Sequence, residues 1–308
     1  MSAMKLFDAH CHLQDSRILE RVPNLIAIAM STGVKHFAVN GVSEQDWQLV
    51  RALGENYPSV VPCFGLHPWF ITERTQNWYS TLCNYFDTTP SAAVGEIGLD
   101  KGSHGKNIEF SDQVEVFRKQ LELAKELKRP ASVHCVRAFG DLLEILRYQS
   151  PKLYQFRIFY CFLNIRESGP FPAGVILHSY SGSAEMVPEF VKLGAYFSFS
   201  GFLTSMKPQK AKKIVTAVPP DRILLETDAP DALPTAHTDD LFPIEENSAS
   251  ETTHGSQKSL NHPANILNVV RYVSCLLDVA IEEFADRTYK NAVRLFSYEG
   301  SKLKKLGE

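Results

Sequence analysis

Three features that would narrow the class of this protein are missing from its 308 residues. The six cysteines, at positions 11, 63, 83, 135, 161 and 275, form no CxxC pair, so we expect free thiols rather than disulfides. No apolar run is long enough to cross a bilayer, and no charged segment followed by an apolar one opens the sequence. The net charge is only −3, so phosphate binding would depend on local charges.

These absences predict a soluble protein of a reducing compartment, the cytoplasm, the nucleus or both. The absence of a long apolar run indicates no membrane association, and no obligate protein partner is evident from the sequence. The composition that remains, 44% hydrophobic and 22% charged, is that of a globular protein. The length fits one large domain or two ordinary ones.

Short apolar runs rich in β-branched residues alternate with amphipathic helical stretches along the chain. The predicted strands are 5–13, 36–42, 60–68, 92–100, 129–136, 174–180, 195–201 and 223–230. The predicted helices are 17–33, 44–56, 72–87, 111–128, 138–149, 184–194, 205–217, 264–278 and 281–297. This alternation indicates parallel strands with crossover helices, arranged either as a closed (β/α)₈ TIM barrel or as a doubly wound sheet.

The first predicted strand contains two histidines separated by one residue. Because side chains alternate between the faces of a strand, His10 and His12 point to one side and Cys11 to the other. Two imidazoles side by side on a rigid strand make half of a metal site. The same alternation separates ligands from packing residues on the later strands.

Ionisable side chains recur at the ends of the other predicted strands. These residues are His67, Glu96, His134, His178 and Asp228. A barrel gathers the C-terminal ends of its strands around one mouth, where active sites lie, whereas an open sheet spreads them along a line. The pattern therefore predicts a single barrel over residues 1–308 with its site at the C-terminal mouth.

Strand alternation puts Glu96 on one face with Val94 and Gly98, and turns His134 away from Cys135. Four histidines and two carboxylates then line the mouth: His10, His12, Glu96, His134, His178 and Asp228. Imidazoles with a few carboxylates are the ligands of Zn²⁺ or related divalent ions, whereas carboxylates and water alone favour Mg²⁺. Six ligands suit two cations, roughly 3.5–4 Å apart, that share a bridging carboxylate.

A single histidine on a strand is more often structural than a ligand, and short motifs match by chance. Six such residues at the ends of five strands are not explained by core packing. A buried unpaired charge costs on the order of several kcal/mol, and a metal is the simplest compensation.

Two segments interrupt the alternation. Residues 151–172 are rich in aromatics and lie where a short connection would suffice, so they are predicted to be a surface element or an insertion. Residues 231–263 are polar and follow the last strand, which predicts a long loop or lid over the mouth.

A series of motifs spans nearly the whole chain: FDAHCHL, GLHP, GEIGLD, a helix with Gln113, Phe117 and Gln120, HCVRA, LHSYSG and ETDAP. This series resembles the TatD family of metal-dependent deoxyribonucleases, within the amidohydrolase superfamily. The resemblance implies a (β/α)₈ barrel with two divalent cations, Zn²⁺ or Mg²⁺, with Mn²⁺ as a further option. It also implies hydrolysis of phosphodiester bonds in DNA, as a 3′–5′ exonuclease or an endonuclease.

The resemblance also assigns roles to residues. It implies six metal ligands, His10, His12, Glu96, His134, His178 and Asp228, with Glu96 as the bridge. Glu96 takes the place of the carbamylated lysine of other amidohydrolases. We expect a hydroxide held by the two cations to attack phosphorus, and Asp228 to accept the proton of the water. Glu96 and Asp228 are therefore the predicted catalytic residues.

The sequence departs from the family pattern around the mouth. Lys101 stands where an aromatic usually follows GEIGLD, and the run Asn261-His262-Pro263 lacks the glutamate common between the asparagine and the proline. These departures concern substrate fit and leave the predicted ligands unchanged.

Four further residues have weaker assignments. His67 could contact a substrate phosphate or make a structural hydrogen bond, and Arg137 could clamp a phosphate or form a salt bridge on the rim. Glu226 could orient a ligand, although pairing with a buried base for structure alone is favoured. Asp100 could fix the histidines of the first strand or cap its loop. The remaining loop histidines are predicted to be solvated: His104, His237, His254 and His262.

Two rival functions stay open at this point. A hydrolase of a small amide, lactone or phosphoester could use the same ligands, because a metal-bound hydroxide attacks carbon or phosphorus. A non-catalytic binding protein would require a damaged site. A mouth lined with Arg and Lys favours DNA, and an enclosed apolar pocket favours a small substrate. The basic run Lys207, Lys210, Lys212 and Lys213 is either a solvated helix face or a guide for a DNA backbone.

Overall fold

The computed structural model describes residues 4–147, 171, 173–236, 240–244 and 259–303. Its centre is a sheet of eight parallel strands, in which each strand pairs with the next one along the chain. The strands are β1 (Leu6–Cys11), β2 (Val34–Asn40), β3 (Val60–Phe64), β4 (Ala93–Asp100), β5 (Ala131–Val136), β6 (Val175–Leu177), β7 (Ala195–Phe199) and β8 (Ile223–Leu225). This strand order confirms the predicted barrel over the doubly wound alternative.

A helix follows each strand and covers the outside of the barrel. The helices are α1 (Val22–Ser31), α2 (Trp47–Asn56), α3 (Trp78–Thr88), α4 (Phe110–Leu127), α5 (Phe139–Arg147), α6 (Val187–Lys192), α7 (Pro208–Ala217), α8 (Ile266–Leu277) and α9 (Ile281–Phe296). In α4, Val116, Phe117 and Leu121 are buried at helical spacing, which explains how the helix packs against the strands. Among the described helices none alone is long and apolar enough to span a membrane; one pair, Pro263–Leu277 with Ile281–Phe296, passes that test jointly but is bent by 111°.

The strands are shorter than predicted at the end that forms the mouth. Strand β3 ends at Phe64, so His67 lies in the loop beyond it and not at the strand end. Strands β6 and β8 likewise end just before His178 and three residues before Asp228. The short strands are followed by tight turns in which Ser179 has φ of 42° and Asp228 has φ of 55°.

Strand β4 departs from strict alternation. Its register with β5 shifts between Val94 and Ile97, as expected when one strand has an extra residue. Val94 therefore packs in the core between strands and helices, together with Ile97, while Glu96 points into the barrel. The prediction that Val94 shares a face with Glu96 was wrong. Gly98 has φ of +153°, and a side chain there would collide with the carbonyl of His134.

The barrel closes along a seam between β1 and the end of β8. Near the mouth, the backbone nitrogen of Asp228 donates to the carbonyl of His10 at 2.9 Å. Below it, the carboxyl group of Asp8 accepts from the backbone nitrogen of Thr227 at 2.9 Å and from its hydroxyl at 2.5 Å. A buried side chain thus takes over part of the pairing between the first and last strands.

The interior of the barrel has two layers. The lower layer is apolar and is closed from below by helix α9; it contains Phe7, Ala9, Ala38, Val61, Cys63, Ala93, Ile176, Tyr196, Leu224, Ala292, Leu295 and Phe296. The upper layer, at the mouth, is polar and contains the predicted site. Cys11 and Cys135 lie in the core between strands and helices, on the face opposite to the neighbouring histidines, as predicted.

The two irregular segments are described only in part. Apart from residue 171, the predicted insertion 151–172 lies outside the described residues, so the assignment of 1–308 as one domain with an insertion stays a prediction. The ends of the 231–263 loop form a short antiparallel pair, β9 (Pro243–Ile244) and β10 (Leu260–Asn261). The amide nitrogen of Asn261 donates to the carbonyl of Thr227 at 2.8 Å, which fastens this loop beside the end of β8.

Candidate metal centre

Glu96 is the centre of the polar layer. It is 3% exposed, and five histidine rings from four parts of the barrel surround its carboxylate. The nearest nitrogens lie at 2.9 Å for His178, 3.0 Å for His134 and 3.4 Å for each of the others, His10, His12 and His67. The residues predicted from the strand ends are therefore brought together at one place.

The five rings divide between the two oxygens of the carboxylate. His10 and His12 face Oε2, whereas His134, His178 and His67 face Oε1. The nitrogens of His10 and His12 that face Oε2 are 3.1 Å apart, and those of His134 and His178 that face Oε1 are 3.3 Å apart. Glu96 thus separates two groups of imidazole ligands and presents one oxygen to each.

Asp228 joins the group around Oε2. Its Oδ1 lies 3.5 Å from Nε2 of His12 and 3.8 Å from Nε2 of His10. Its side chain is 19% exposed, so it is the predicted ligand most open to the mouth.

Hydrogen bonds to the remote ring nitrogens set the orientation of these imidazoles. Nδ1 of His12 lies 2.8 Å from the carbonyl of Asn40, which can only accept, so Nδ1 carries a proton and Nε2 is left bare in the neutral ring. His134 is held in the same way by Asp100, at 3.3 Å from Nε2. Acceptors on the outer nitrogens therefore aim the lone pairs of the inner nitrogens at the space around Glu96.

His178 and His10 have partners of their own. Nδ1 of His178 lies 3.5 Å from Oε1 of Glu226, which also accepts from the backbone nitrogen of Ser179 at 2.7 Å. Nδ1 of His10 lies 2.8 Å from the hydroxyl of Ser132. The fully buried Glu226 thus faces a buried base that is also a predicted ligand, so this contact fits both a structural pairing and the orientation of a ligand, and its role stays a prediction.

The electrostatics of the cluster reflect burial and crowding. Burial would raise the pKa of Glu96, but the surrounding histidines, His67 and His178 foremost, lower it well below its usual value. Burial would lower the pKa of His12, but hydrogen bonds that its ring donates to the carboxylates of Asp228 and Glu96 raise it well above its usual value. Burial lowers the pKa of His10. A cation bound here would have to displace protons from part of this cluster, because only neutral imidazoles are ligands.

The residue types and positions fit divalent metal ions. Among the described residues, three groups of side chains each bring three ligand atoms to within 4.8 Å of one another: His10, His12 and Glu96; His67, Glu96 and His134; and His10, His178 and Glu226. Imidazole nitrogens with one or two carboxylates are the donor set of Zn²⁺ and related ions.

His67 lies deeper than a substrate contact at the rim would. It is 3% exposed, its Nδ1 accepts from the backbone nitrogen of Trp69 at 3.2 Å, and its Nε2 faces Glu96. Arg137 is exposed just beyond β5, and within the part of the chain that the structure describes no carboxylate pairs with it, so the rim salt bridge is not found there. Whether either residue contacts substrate stays a prediction.

Several other expectations need correction. Asp100 contacts His134 and not the histidines of β1, because β4 lies next to β5 in the barrel, whereas the alternative, that it caps its loop, is confirmed by the bond that it accepts from the backbone nitrogen of Gly102. His262 is buried, not solvated, and its Nδ1 accepts from the backbone nitrogen of Ala264 at 2.9 Å. His104 is exposed as expected, while His237 and His254 lie outside the described residues.

Sequence reasoning also missed supporting residues. Ser132 precedes His134 by two residues and Asn40 ends β2, so the alternation rule could have placed both at the mouth. Asp8 carries no such signal, because its partner Thr227 lies 219 positions away. Burial raises the pKa of Asp8 to about 8, and the hydrogen bonds from Thr227 offset only part of this effect.

The fold and the cluster together define a metal-dependent hydrolase barrel. The sequence profile described as "TatD related DNase" matches residues 7–297, and the chain belongs to this family. The predicted family and the predicted enzyme class, a metal-dependent hydrolase of ester bonds, are confirmed.

Individual relatives are similar to this chain over nearly their whole length. The uncharacterized metal-dependent hydrolase YabD of Bacillus subtilis is 28% identical over 94% of this chain and 98% of its own. The 3′-5′ ssDNA/RNA exonuclease TatD of Erwinia tasmaniensis is 26% identical over 95% of this chain and 100% of its own. The crystal structure of YjjV, a TatD homologue from Escherichia coli, superposes with a TM-score of 0.76 at 25% identity, over 95% of this chain and 98% of its own.

Proposed function

We propose that this protein hydrolyses phosphodiester bonds of DNA with two divalent cations that share Glu96. The observation that carries this proposal is the division of five imidazoles between the two oxygens of one buried carboxylate. One cation with an open position does not need so many ligands, whereas two cations joined by a bridging carboxylate do.

The ligand assignment follows the two sides of Glu96. His10, His12 and Asp228 would hold one cation beside Oε2, and His134 and His178 would hold the other beside Oε1. His67 faces Oε1 as well and is a further candidate for the second side. Zn²⁺ fits the imidazole-rich donor set, with Mg²⁺ and Mn²⁺ as the alternatives that a metal analysis would separate.

When bound, divalent cations would activate a water and neutralise charge on the phosphate oxygens. The protein's own side chains orient the candidate ligands and accept a proton. Asp228 is the most open carboxylate of the cluster and lies beside His12, so it is placed to accept a proton from a water at the mouth. Asp100 and Glu226 keep His134 and His178 oriented during this transfer.

A nucleic-acid substrate is supported by the family and by the Erwinia tasmaniensis relative, whose name specifies single-stranded DNA and RNA as substrates. The exposed Arg137, next to the loop after β5, offers one cationic contact for a phosphate. The choice between 3′–5′ exonuclease and endonuclease action, and the location in cytoplasm or nucleus, are predictions for product analysis and for imaging of a fluorescent fusion.

The test combines metal analysis of the purified protein with hydrolysis of end-labelled single-stranded and double-stranded DNA. We expect about two cations per chain, cleavage that is lost on chelation, and loss of cleavage in His134→Ala. Asp228→Asn should keep part of the metal and lose turnover. Equal cleavage by His134→Ala would show that the activity is a contaminant. Turnover of small lactones or amides but not DNA would favour the rival hydrolase.

A further inference from the structure

The chain has three tryptophans, and they differ in exposure. Trp47 and Trp78 are buried in the core, at 0% and 6% exposed. Trp69 is 38% exposed and lies on the short 3₁₀ helix Pro68–Glu73, which follows β3 at the mouth. The indole of Trp69 is therefore partly open to solvent beside the polar cluster.

The indole of Trp69 contacts residues of the candidate metal centre. Its Nε1 donates to Oδ2 of Asp100 at 2.5 Å, and the same oxygen lies 3.3 Å from His134. The ring centroid of Trp69 is 4.8 Å from that of His67 and 5.8 Å from that of His134, both in edge-on geometry. Trp69 is therefore in direct contact with residues that surround Glu96.

His104 extends this aromatic surface. It is exposed, and its ring lies 4.6 Å from that of Trp69 with an angle of 33° between the planes. His104 belongs to the loop after β4, which begins at Lys101. The two rings form an exposed aromatic ledge, defined here as Trp69 and His104, at the edge of the candidate metal centre.

The backbone that carries the ledge is also fixed. The side chain of Gln120 accepts from the backbone nitrogen of Leu66 at 2.7 Å and donates to its carbonyl at 3.1 Å, which ties the loop after β3 to α4. The bond to Asp100 restrains the indole itself, so both the loop and the ring have defined partners before any ligand arrives. A pre-ordered ring binds a planar ligand with little further loss of entropy.

We propose that the aromatic ledge stacks the base of a nucleotide adjacent to the phosphate that is cleaved. This inference rests on the proposed function and specifies how the substrate is held. Stacking on an aromatic ring is available to every base but requires that the base is unpaired, so the ledge selects single-stranded substrates or frayed ends. It would contribute to substrate affinity with little sequence preference.

Intrinsic fluorescence provides the first test, because Trp69 is the exposed tryptophan. Oligothymidylate added to the metal-free full-length protein should change the emission of the wild type. It should not change that of Trp69→Phe, in which Trp47 and Trp78 remain. An equal change in Trp69→Phe would overturn the assignment.

Kinetics separate stacking from an indirect role through Asp100. For Trp69→Ala, the preference in kcat/KM for an oligonucleotide over the same strand with an abasic site beside the cleaved bond should fall about tenfold, mainly through KM. Trp69→Phe keeps a ring but not the bond to Asp100, and it should retain most of this preference. Leu49→Ala, which removes an equally exposed apolar side chain on α2, is the matched control.

Two results would overturn the inference in distinguishable ways. If both Trp69 variants lose kcat equally on intact and abasic strands, Trp69 acts through Asp100 and His134 and not by stacking. If the wild type neither binds nor cleaves any oligonucleotide, the proposed function fails and the ledge assignment fails with it.

Discussion

The two layers of the barrel interior are built on the same eight strands but follow opposite rules. The lower layer is an apolar core closed by α9, in which Phe7 and Phe296 stack with ring centroids 5.0 Å apart. The upper layer brings five histidines together with four carboxylates, Glu96, Asp100, Glu226 and Asp228. Burial of apolar area stabilises the fold, whereas a buried cluster of like rings and charges opposes it unless a ligand compensates. The comparison indicates that the lower layer provides stability and that the mouth is organised for binding.

Histidine itself illustrates the difference. His36 points into the lower part of the barrel, where its ring is tilted against Phe7 and stacks on Tyr289, and burial lowers its pKa to about 4. His12, at the mouth, is also enclosed, but Asp228 and Glu96 raise its pKa well above the usual value. The same residue type packs as a neutral ring in the lower layer and is a titratable candidate ligand in the upper one.

The largest effect should follow from the loss of the central carboxylate. Glu96→Gln removes the charge that both groups of imidazoles share, so we expect more than about a hundredfold loss of metal affinity and of hydrolysis. Metal content by mass spectrometry of the purified protein and cleavage of labelled DNA measure this. Glu115→Gln, at an exposed ion pair on α4, is the control. A metal-replete and active Glu96→Gln would remove the bridging assignment.

A truncation in the lower layer should affect stability and leave the mouth intact. Leu224 is fully buried on β8, and Leu224→Ala should lower the free energy of unfolding by about 2–5 kcal/mol. Metal content of the folded variant should be unchanged. Chemical denaturation measures the first and metal analysis the second, with the exposed Met30→Ala as control. Loss of metal from a folded Leu224→Ala protein would contradict the separation of the two layers.

Removal of the support for one ligand should have a smaller effect. Glu226→Ala deletes the acceptor beside Nδ1 of His178, and we expect metal affinity to fall about 10–100-fold with the fold preserved. Competition with a chromophoric chelator gives the affinity. Glu185→Ala, at an exposed pair with Lys213, should change nothing. Unaltered affinity in Glu226→Ala would return Glu226 to a structural role.

The smallest effect is a pH dependence that originates in the lower layer. The folded protein keeps His36 neutral down to a pH of about 4, whereas an unfolded histidine takes up a proton near 6.5. The unfolded state therefore binds more protons in this window, and the contribution of His36 to stability is lost as the pH falls from about 6.5 to 4. His36→Leu should show a shallower decline in denaturation midpoint than the wild type. Parallel declines in the two proteins would assign the acid sensitivity elsewhere.

The barrel and the convergence of the site residues could be predicted from the sequence, because both depend on the periodicity of apolar and polar residues. Alternation placed His10 and His12 together and set Cys11 apart, and it did so correctly even though the register of β1 shifts between Asp8 and Cys11. It failed at Val94, because a local shift in strand register leaves no mark in a pattern of apolar and polar residues.

Contacts between distant parts of the chain could not be predicted from the sequence either. The roles of Asp100 and Glu226 depend on which strand lies beside them and on where their loops turn. His262 was expected in solvent because its neighbours in sequence are polar, yet tertiary contacts bury it. The aromatic ledge escaped notice for the same reason, since Trp69 and His104 belong to different loops.

The seam between β1 and β8 links metal binding at the candidate centre to the stability of the barrel. His10 and His12 lie on one side of this seam and Asp228 on the other. A cation bound by all three would therefore cross-link the first strand to the end of the last strand. Loading with metal would then raise resistance to unfolding along with reactivity, because binding confined to the folded state stabilises it. Chelation should accordingly favour local unfolding of β1 and β8 before that of the other strands.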